Sequence, residues 1–263
     1  MKLRGILFVM IAGSLAACQW GTPGENKPAI TTDTLQYTYK EIKQKEAGYE
    51  KKPDSECVYT DISYPVFSGQ KALNDSIISK ILADYSEGDT TIHQFIKNYL
   101  FDQKTDPNHP DYIRHCLELG ANVIRQDSSI LLIEIEGDYF EARRHLNTVP
   151  IIHFLNWNTK KGKSILLSDI LANNYSNELN KIAETIFRKD EKLSATESLK
   201  DYRFEDGKFM LNDNFLITPI GLRFVYNRGD IKLGRADQTE ILIPYSQIES
   251  LLRPNTVVTQ YYK

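Results

Sequence analysis

The residue pattern predicts an α+β protein built as two small units, with mainly antiparallel sheets and helices packed on one face. Three observations carry this reading. Stretches of period-two alternation come in blocks rather than in strict exchange with helices. Two apolar stripes at helical spacing stand between the first strands and a four-strand meander. A third stripe separates that meander from a last set of strands. With 263 residues, 41% hydrophobic and 25% charged, the composition is that of a globular chain with a substantial core. Lys+Arg 32 against Asp+Glu 35 leaves a net charge of −3 and no basic excess to recommend nucleic acid as a partner.

The first residues differ in kind from the rest. Met1-Lys2-Leu3-Arg4 is a short cationic start, and the apolar stretch from Gly5 to Leu15 follows it. That stretch is far short of the ~20 residues a membrane-spanning helix needs, but it suits the core of a secretory signal. Leu15-Ala16-Ala17-Cys18 then resembles the bacterial lipobox, in which the Cys is lipidated and becomes N-terminal after cleavage. Residues 1–17 are therefore expected to be a lipoprotein signal peptide. Their removal takes away Lys2 and Arg4 and leaves 246 residues with a net charge of −5. Several alkyl chains on Cys18 are enough for stable anchoring. Gln19 follows the Cys where Asp is the usual inner-membrane retention signal, so the outer membrane, on its periplasmic or surface face, is the expected address. Residues 18–32, with Gly21, Pro23, Gly24 and Pro28, read as a flexible tether with a reach of roughly 20 Å.

The expected domains are an N-terminal α+β unit over 33–145 and a C-terminal one over 146–263. In the first, Leu35, Tyr37 and Tyr39 alternate with polar residues, and Cys57 to Phe67 is a second extended run. Gly69 opens a helix with Leu73, Ile77, Ile81 and Tyr85 on one stripe, and Gly88 breaks it. Ile92, Phe95, Ile96, Tyr99 and Leu100 repeat the i, i+3, i+4, i+7, i+8 spacing of a second amphipathic helix. The meander covers Ile113 to Arg125, Ile130 to Tyr139, Val149 to Trp157 and Ser164 to Leu167. Ile133 and Ile135 alternate with Glu134 and Glu136, which predicts one wet face. Ile151, Ile152, Phe154 and Leu155 load both faces, as in a central strand, and Asn158 to Lys163 reads as a hairpin loop using Gly162. Asn173 or Asn174 is the expected cap of a helix carrying Leu179, Ile182, Ile186 and Phe187. Phe215 to Thr218, Leu222 to Tyr226 and Thr239 to Ile243 are the last strands, and Pro244 opens a short helix over Tyr245 to Leu252.

Chemistry is sparse. The five His show no H-x-x-x-H or H-E-x-x-H pattern, and there is no C-x-x-C. Asp106, His109, Asp111 and His115 cluster in sequence, but a polar turn explains them equally, and no metal or cofactor is expected. No G-x-S-x-G or phosphate loop occurs. Glu134, Glu136, Asp138 and Glu141 offer carboxylates for glycoside hydrolysis, with the first three on one strand face at ~6.6 Å steps; a solvated face is the plainer reading. His153, in an apolar strand, reads as a core histidine. Basic residues at Arg143, Arg144 and His145, at Lys160, Lys161 and Lys163, and at Arg223 and Arg228 form an anion- or protein-binding rim if their loops meet. With Cys18 lipidated, Cys57 and Cys116 either form a disulfide, worth roughly 4 kcal/mol in the chain-entropy picture, or remain two buried thiols.

Two stretches resemble a known family. Ser63-Tyr64-Pro65-Val66-Phe67 leads through Gly69 into Ala72-Leu73-Asn74-Asp75-Ser76-Ile77. Phe154-Leu155-Asn156-Trp157 leads to Gly162-Lys163 and on to Ile165-Leu166-Leu167-Ser168-Asp169-Ile170-Leu171, then Gly221 to Tyr226, then Glu240 to Ile248. Together they resemble the domain pair of the RsiV-type lysozyme-sensing anti-sigma factors, which also accompanies some peptidoglycan N-deacetylases. The resemblance spans Leu35 to Leu252. It departs at Glu141-Ala142-Arg143-Arg144-His145, where the family has Gly-Gly-Ala-His, and at Asn227 to Gly234, where the family has a Tyr-Glu-Ile-Ala-Pro-Tyr-like stretch. The sequence given carries neither a segment to hold a sigma factor nor a deacetylase module.

The resemblance thus implies a stand-alone, lipid-anchored envelope protein, a non-enzymatic binder of a lysozyme-like protein or a cell-wall ligand. The ligand loops are then expected at Arg143, Arg144, His145, Arg228, Asp230 and Lys232. A cell-wall glycan hydrolase or deacetylase-like enzyme working through Glu134, Glu136 or His145 is the alternative, and a structural envelope lipoprotein is a further one. Replacing Cys18 with Ser is expected to abolish incorporation of labelled palmitate and to move the chain to the soluble periplasmic fraction, which metabolic labelling and fractionation read directly.

Overall fold

The structure is a computed structural model that describes residues 35–54, 58–86, 88–103, 115–127, 129–141, 150–232 and 238–262. Cys18, the expected signal and tether, Cys57 and the Arg143-Arg144-His145 segment lie outside these residues. Six strands lie in sequence order in one sheet: β1 (Tyr37–Lys45), β2 (Tyr59–Phe67), β3 (His115–Gln126), β4 (Ile130–Glu141), β5 (Ile151–Asn158) and β6 (Lys163–Ser164). All pairings are antiparallel except β2 with β3, which run parallel with Thr60 opposite Leu117 and Ile62 opposite Leu119. Parallel neighbours require a crossover, and α1 (Lys71–Tyr85) and α2 (Ile92–Asp102) lie in that connection.

Both helices form where the stripes predict. Leu73, Ile77, Ile81 and Tyr85 of α1 and Ile92, Phe95, Ile96 and Leu100 of α2 are buried. The N-cap of α2 is Thr91, whose hydroxyl accepts the Gln94 N–H at 3.1 Å. Asn74 joins α1 to the end of β2, its amide pairing with both the N–H and C=O of Phe67 at 2.8 and 2.9 Å. The helices share a core with Ile62, Leu117, Leu119, Ala121, Leu131, Ile133 and Ile135 of the sheet. At Gly137 the Tyr85 ring comes so close that a Cβ would meet its Cε1 at 2.2 Å, and the Tyr85 hydroxyl donates to the Ile151 carbonyl at 2.7 Å.

Beyond β6 the chain forms α3 (Leu167–Ile170), α4 (Ser176–Asp190) and a second, three-stranded antiparallel sheet of β7 (Phe215–Ile217), β8 (Gly221–Tyr226) and β9 (Thr239–Pro244). Its core joins Leu179, Ala183 and Phe187 of α4 to Phe215, Phe224 and Ile241, and includes Ile130, Leu132 and Phe154 from the first sheet. β5 is central in the expected sense, with Leu155 and Trp157 in the first core and Phe154 in the second. The fold is α+β with two sheets. The expected boundary at 145/146 falls between β4 and β5, neighbours in one sheet.

Several local expectations change. Of the run 164–167 only Ser164 lies in a strand, β6, and Leu167 already begins α3, with Leu166 61% exposed. Neither asparagine caps α4: the N-cap is Tyr175, Asn174 takes a left-handed turn at φ 64°, and the Asn173 side chain accepts from Arg253 at 2.7 Å. In place of a helix over 245–252 there are two 3-10 turns, Tyr245–Gln247 and Glu249–Leu251. The hairpin between β5 and β6 forms as read, with Gly162 at φ 61°.

β5 pairs with β4 along its length, but with β6 only at Trp157 and Asn158. Asparagines satisfy the remaining edge. Asn227 accepts the Ile152 N–H at 2.8 Å and donates to its carbonyl at 3.0 Å. Asn214 accepts the Phe154 N–H at 3.1 Å and donates to the Ile152 carbonyl at 2.7 Å. In the other direction, the buried Asn156 donates to the Phe215 carbonyl at 2.7 Å and accepts the Ile217 N–H at 3.0 Å. Asn156→Ala strips both partners of a buried strand, each orphan costing about 1–3 kcal/mol. The expected result is a loss of about 2–5 kcal/mol in urea unfolding, seen as a lower midpoint at unchanged m.

Candidate functional site

Strand register assembles a row of acids on the face of β2, β3 and β4 opposite the helices. Asp61 pairs with Glu118 and Glu118 with Asp138; one step along, Ser63 pairs with Gly120 and Gly120 with Glu136. These residues line an open groove of about 390 Å³. Directly opposed like charges repel across a sheet, and partners relieve part of this. Lys43 Nζ lies 3.2 Å from Asp61 and 2.8 Å from Asp54, over the Tyr59 ring. The Tyr59 hydroxyl donates to Glu118 Oε1 at 2.5 Å, and burial with that carboxylate raises the phenol pKa.

Glu136 and Asp138 have no such relief. Among the described residues neither makes an ion pair, and Asp138 Oδ1 is shielded from water without a hydrogen-bond partner. Burial first, then Glu118 and Glu136, raise the Asp138 carboxyl above the usual carboxylate range. Glu134 is raised by burial and by Glu136, against the opposing pull of Arg223. Arg223, which donates to Glu240 through Nε at 2.9 Å and Nη2 at 2.5 Å and stacks over Phe154, marks where the second sheet meets the acidic row. The row read from the sequence is thus present, and Asp61, Ser63 and Glu118 join it. Those three were missed because their alternation is visible in the sequence but the register that sets them beside β4 is not. The side chain of Glu141 lies outside the described residues.

Of the expected ligand-loop residues, Arg143, Arg144 and His145 lie outside the described residues, and Arg228, Asp230 and Lys232 follow β8. Asp230 Oδ2 accepts the Asn227 N–H at 2.7 Å and closes a turn, and Lys232 Nζ pairs with Glu191 at 2.6 Å. Arg228 is exposed on that turn. Asn227 sits at Ile152, whereas Lys160, Lys161 and Lys163 belong to the hairpin beyond Asn158, six residues and roughly 20 Å further along β5. The described basic groups therefore do not meet in one rim. Of the sequence cluster Asp106, His109, Asp111 and His115, only His115 is described, and no metal-holding group of acids, His and Cys occurs among the described residues. His153 packs edge-on to Tyr85 with Nδ1 3.5 Å from Asp84; burial lowers its pKa and Asp84 opposes that. Cys116 is buried on β3.

A carboxyl whose folded pKa is raised binds its proton more tightly in the folded state. It therefore costs stability at neutral pH, and that cost fades as pH falls through the folded value toward the unfolded one. Asp138→Asn is accordingly expected to raise the melting temperature at pH 7. The gain stays under about 1 kcal/mol because solvent screens the row, and it vanishes near pH 4, as thermal scans across that range will show.

A family model described as a protein of unknown function, DUF3298, matches residues 168–246. The match starts inside the Ile165–Leu171 motif and ends two residues past Pro244. No curated protein matches the chain. Two solved structures are similar over most of their length. One is a DUF3298 family protein from Pseudomonas aeruginosa PAO1, 17% identical with a TM-score of 0.65, covering 84% of this chain and 95% of that one. The other is a DUF3298 family member from Bacteroides fragilis, 20% identical with a TM-score of 0.65, covering 87% and 97%. The chain shares the fold of these two proteins, and its residues 168–246 match the model of their family.

Proposed function

We propose that the chain is a lipid-anchored envelope protein whose folded part is a non-enzymatic binding domain of the RsiV type, taking a cationic protein of the cell exterior. The observation that carries this reading is the open groove in which Glu136 and Asp138 have no ion-pair partner among the described residues, Asp138 with one carboxylate oxygen shielded and unpartnered there. A Lys or Arg side chain from a ligand supplies the donor and relieves the like-charge row at the same time. The lipobox at Cys18 and the polar stretch after it support a position at the membrane surface, where such a groove can meet soluble proteins. The order of the two sequence motifs supports the RsiV-type reading.

Immobilised protein is expected to retain lysozyme, a cationic protein, rather than neutral peptidoglycan fragments. Retention weakens with salt and falls at least ten-fold in Glu136→Gln/Asp138→Asn. Retention of neither probe overturns the ligand assignment. A second reading rests on the raised carboxyls of Glu134 and Asp138, since a glycan hydrolase needs one carboxyl protonated beside another ionised. Unchanged turnover of cell-wall glycan after alanine replacement of Glu134, Glu136 and His145 removes that reading.

A further inference from the structure

β1 is an open edge of the six-stranded sheet, with β2 on one side and no strand on the other among the described residues. Two hydrogen bonds fix which of its backbone groups are spent on β2. The Ser68 N–H donates to the Gln36 carbonyl at 2.9 Å, and the Glu46 N–H donates to the Val58 carbonyl at 3.0 Å. Residues that exchange bonds recur at every second position of an antiparallel pair, so the even-numbered residues from Gln36 to Glu46 face β2. The N–H and C=O groups of Tyr37, Tyr39, Glu41, Lys43 and Lys45 then point away from it. The edge carries no Pro, Gly or bulge along its nine residues, which makes it a template for another strand.

Lysines on an edge guard against such pairing, but here most of their charge is already met. Lys43 Nζ lies 2.8 Å from Asp54 and 3.2 Å from Asp61, Lys45 Nζ lies 3.0 Å from Asp54, and Lys40 lies over the Tyr64 ring. Glu41 is exposed and has no ion-pair partner among the described residues. The order of these charges selects a partner and a register. When β1 pairs antiparallel with its own copy with the outward groups in phase, the two-fold axis passes through one residue. An axis at Lys40, Glu41 or Lys43 sets that charge against itself. At Gln44 it sets Lys43 against Lys45, and at Tyr39 no opposite charges meet. At Ile42 the half-buried Ile42 faces Ile42, Glu41 faces Lys43 and Tyr39 faces Lys45, each in both directions.

We propose that β1 pairs antiparallel with β1 of a second copy of this chain, about a two-fold axis at Ile42, so that two sheets become one. Opposed side chains of an antiparallel pair share a face, and Lys43 stands opposite Asp61 on the acidic side. Both acidic grooves therefore open on the same side of the joined sheet. The pairing itself does not depend on what the groove binds.

Sedimentation equilibrium of the full chain carrying Cys18→Ser tests this. One shared strand is a small interface, so the expected result is a dimer that forms between about 10 μM and about 1 mM. In the dimer the amides of Tyr39, Glu41, Lys43 and Lys45 gain protection from hydrogen exchange, whereas those of Lys40 and Ile42 are protected at every concentration. Glu41→Pro removes only an outward N–H and should abolish the dimer. Glu41→Lys, a change of one exposed side chain, sets lysine against Lys43 and should weaken the dimer at least ten-fold, which covers the case in which Glu41→Pro does not fold. Single cysteines under mild oxidation read the register against the parent chain. Ile42→Cys should form an intermolecular disulfide, since facing residues fall within the Cα separation of about 4.4–6.8 Å that it needs, and Lys40→Cys, roughly 14 Å from its copy, should not. A monomer throughout that concentration range overturns the proposal. Protection of the outward amides in a monomer assigns the edge to another segment of this chain. A dimer that ignores both Glu41 variants and gives no Ile42→Cys cross-link assigns another surface. Either result overturns the proposal as well.

Discussion

The unpaired edge of β5 is the constraint around which the two sheets are arranged. A strand that ends its pairing at residues 157 and 158 leaves N–H and C=O groups that must be satisfied or stay in water. Here three asparagines imitate a neighbouring strand, because a primary amide presents the same donor–acceptor pair as a peptide group. Asn214 and Asn227 reach from the second sheet to β5, and Asn156 reaches from β5 to β7. The exchange ties the layers without a continuous ladder, so Phe154 and Leu132 can sit in the second core while their neighbours Leu155 and Ile133 stay in the first.

This arrangement explains why the two-core character of the protein was legible and its connection was not. Period-two and period-3.6 patterns report which face of an element is apolar, and they located α1, α2, α4 and every strand but β6. They say nothing of which strands become neighbours. Asn156, Asn214 and Asn227 look like ordinary loop or edge residues in the sequence, since nothing local distinguishes an amide that crosses between sheets from one that faces water. The α4 cap was misread for a related reason: Asn174 is used for a left-handed turn and Asn173 is engaged by Arg253, a residue eighty positions away.

The candidate sites divide along the same line. Glu134, Glu136 and Asp138 were visible as one face of one strand, whereas the groove lined by Glu136 and Asp138 depends on Asp61 and Glu118 arriving from β2 and β3. Conversely, basic residues that look like one set in the sequence are parted by the length of β5, and Arg223 is taken up by Glu240.

The parallel pairing of β2 with β3 has a kinetic consequence. The β1–β2 hairpin and the β3–β4–β5 meander can each form from nearby residues, but Thr60 must find Leu117 across both helices before the sheet is whole. Closing a loop of that length is slow relative to hairpin or helix formation. The late step in reaching the native state is then the docking of two preformed pieces. Until it occurs, one edge of each piece remains open, so the interval just after the chain emerges is when it is most exposed to mispairing with another copy of itself.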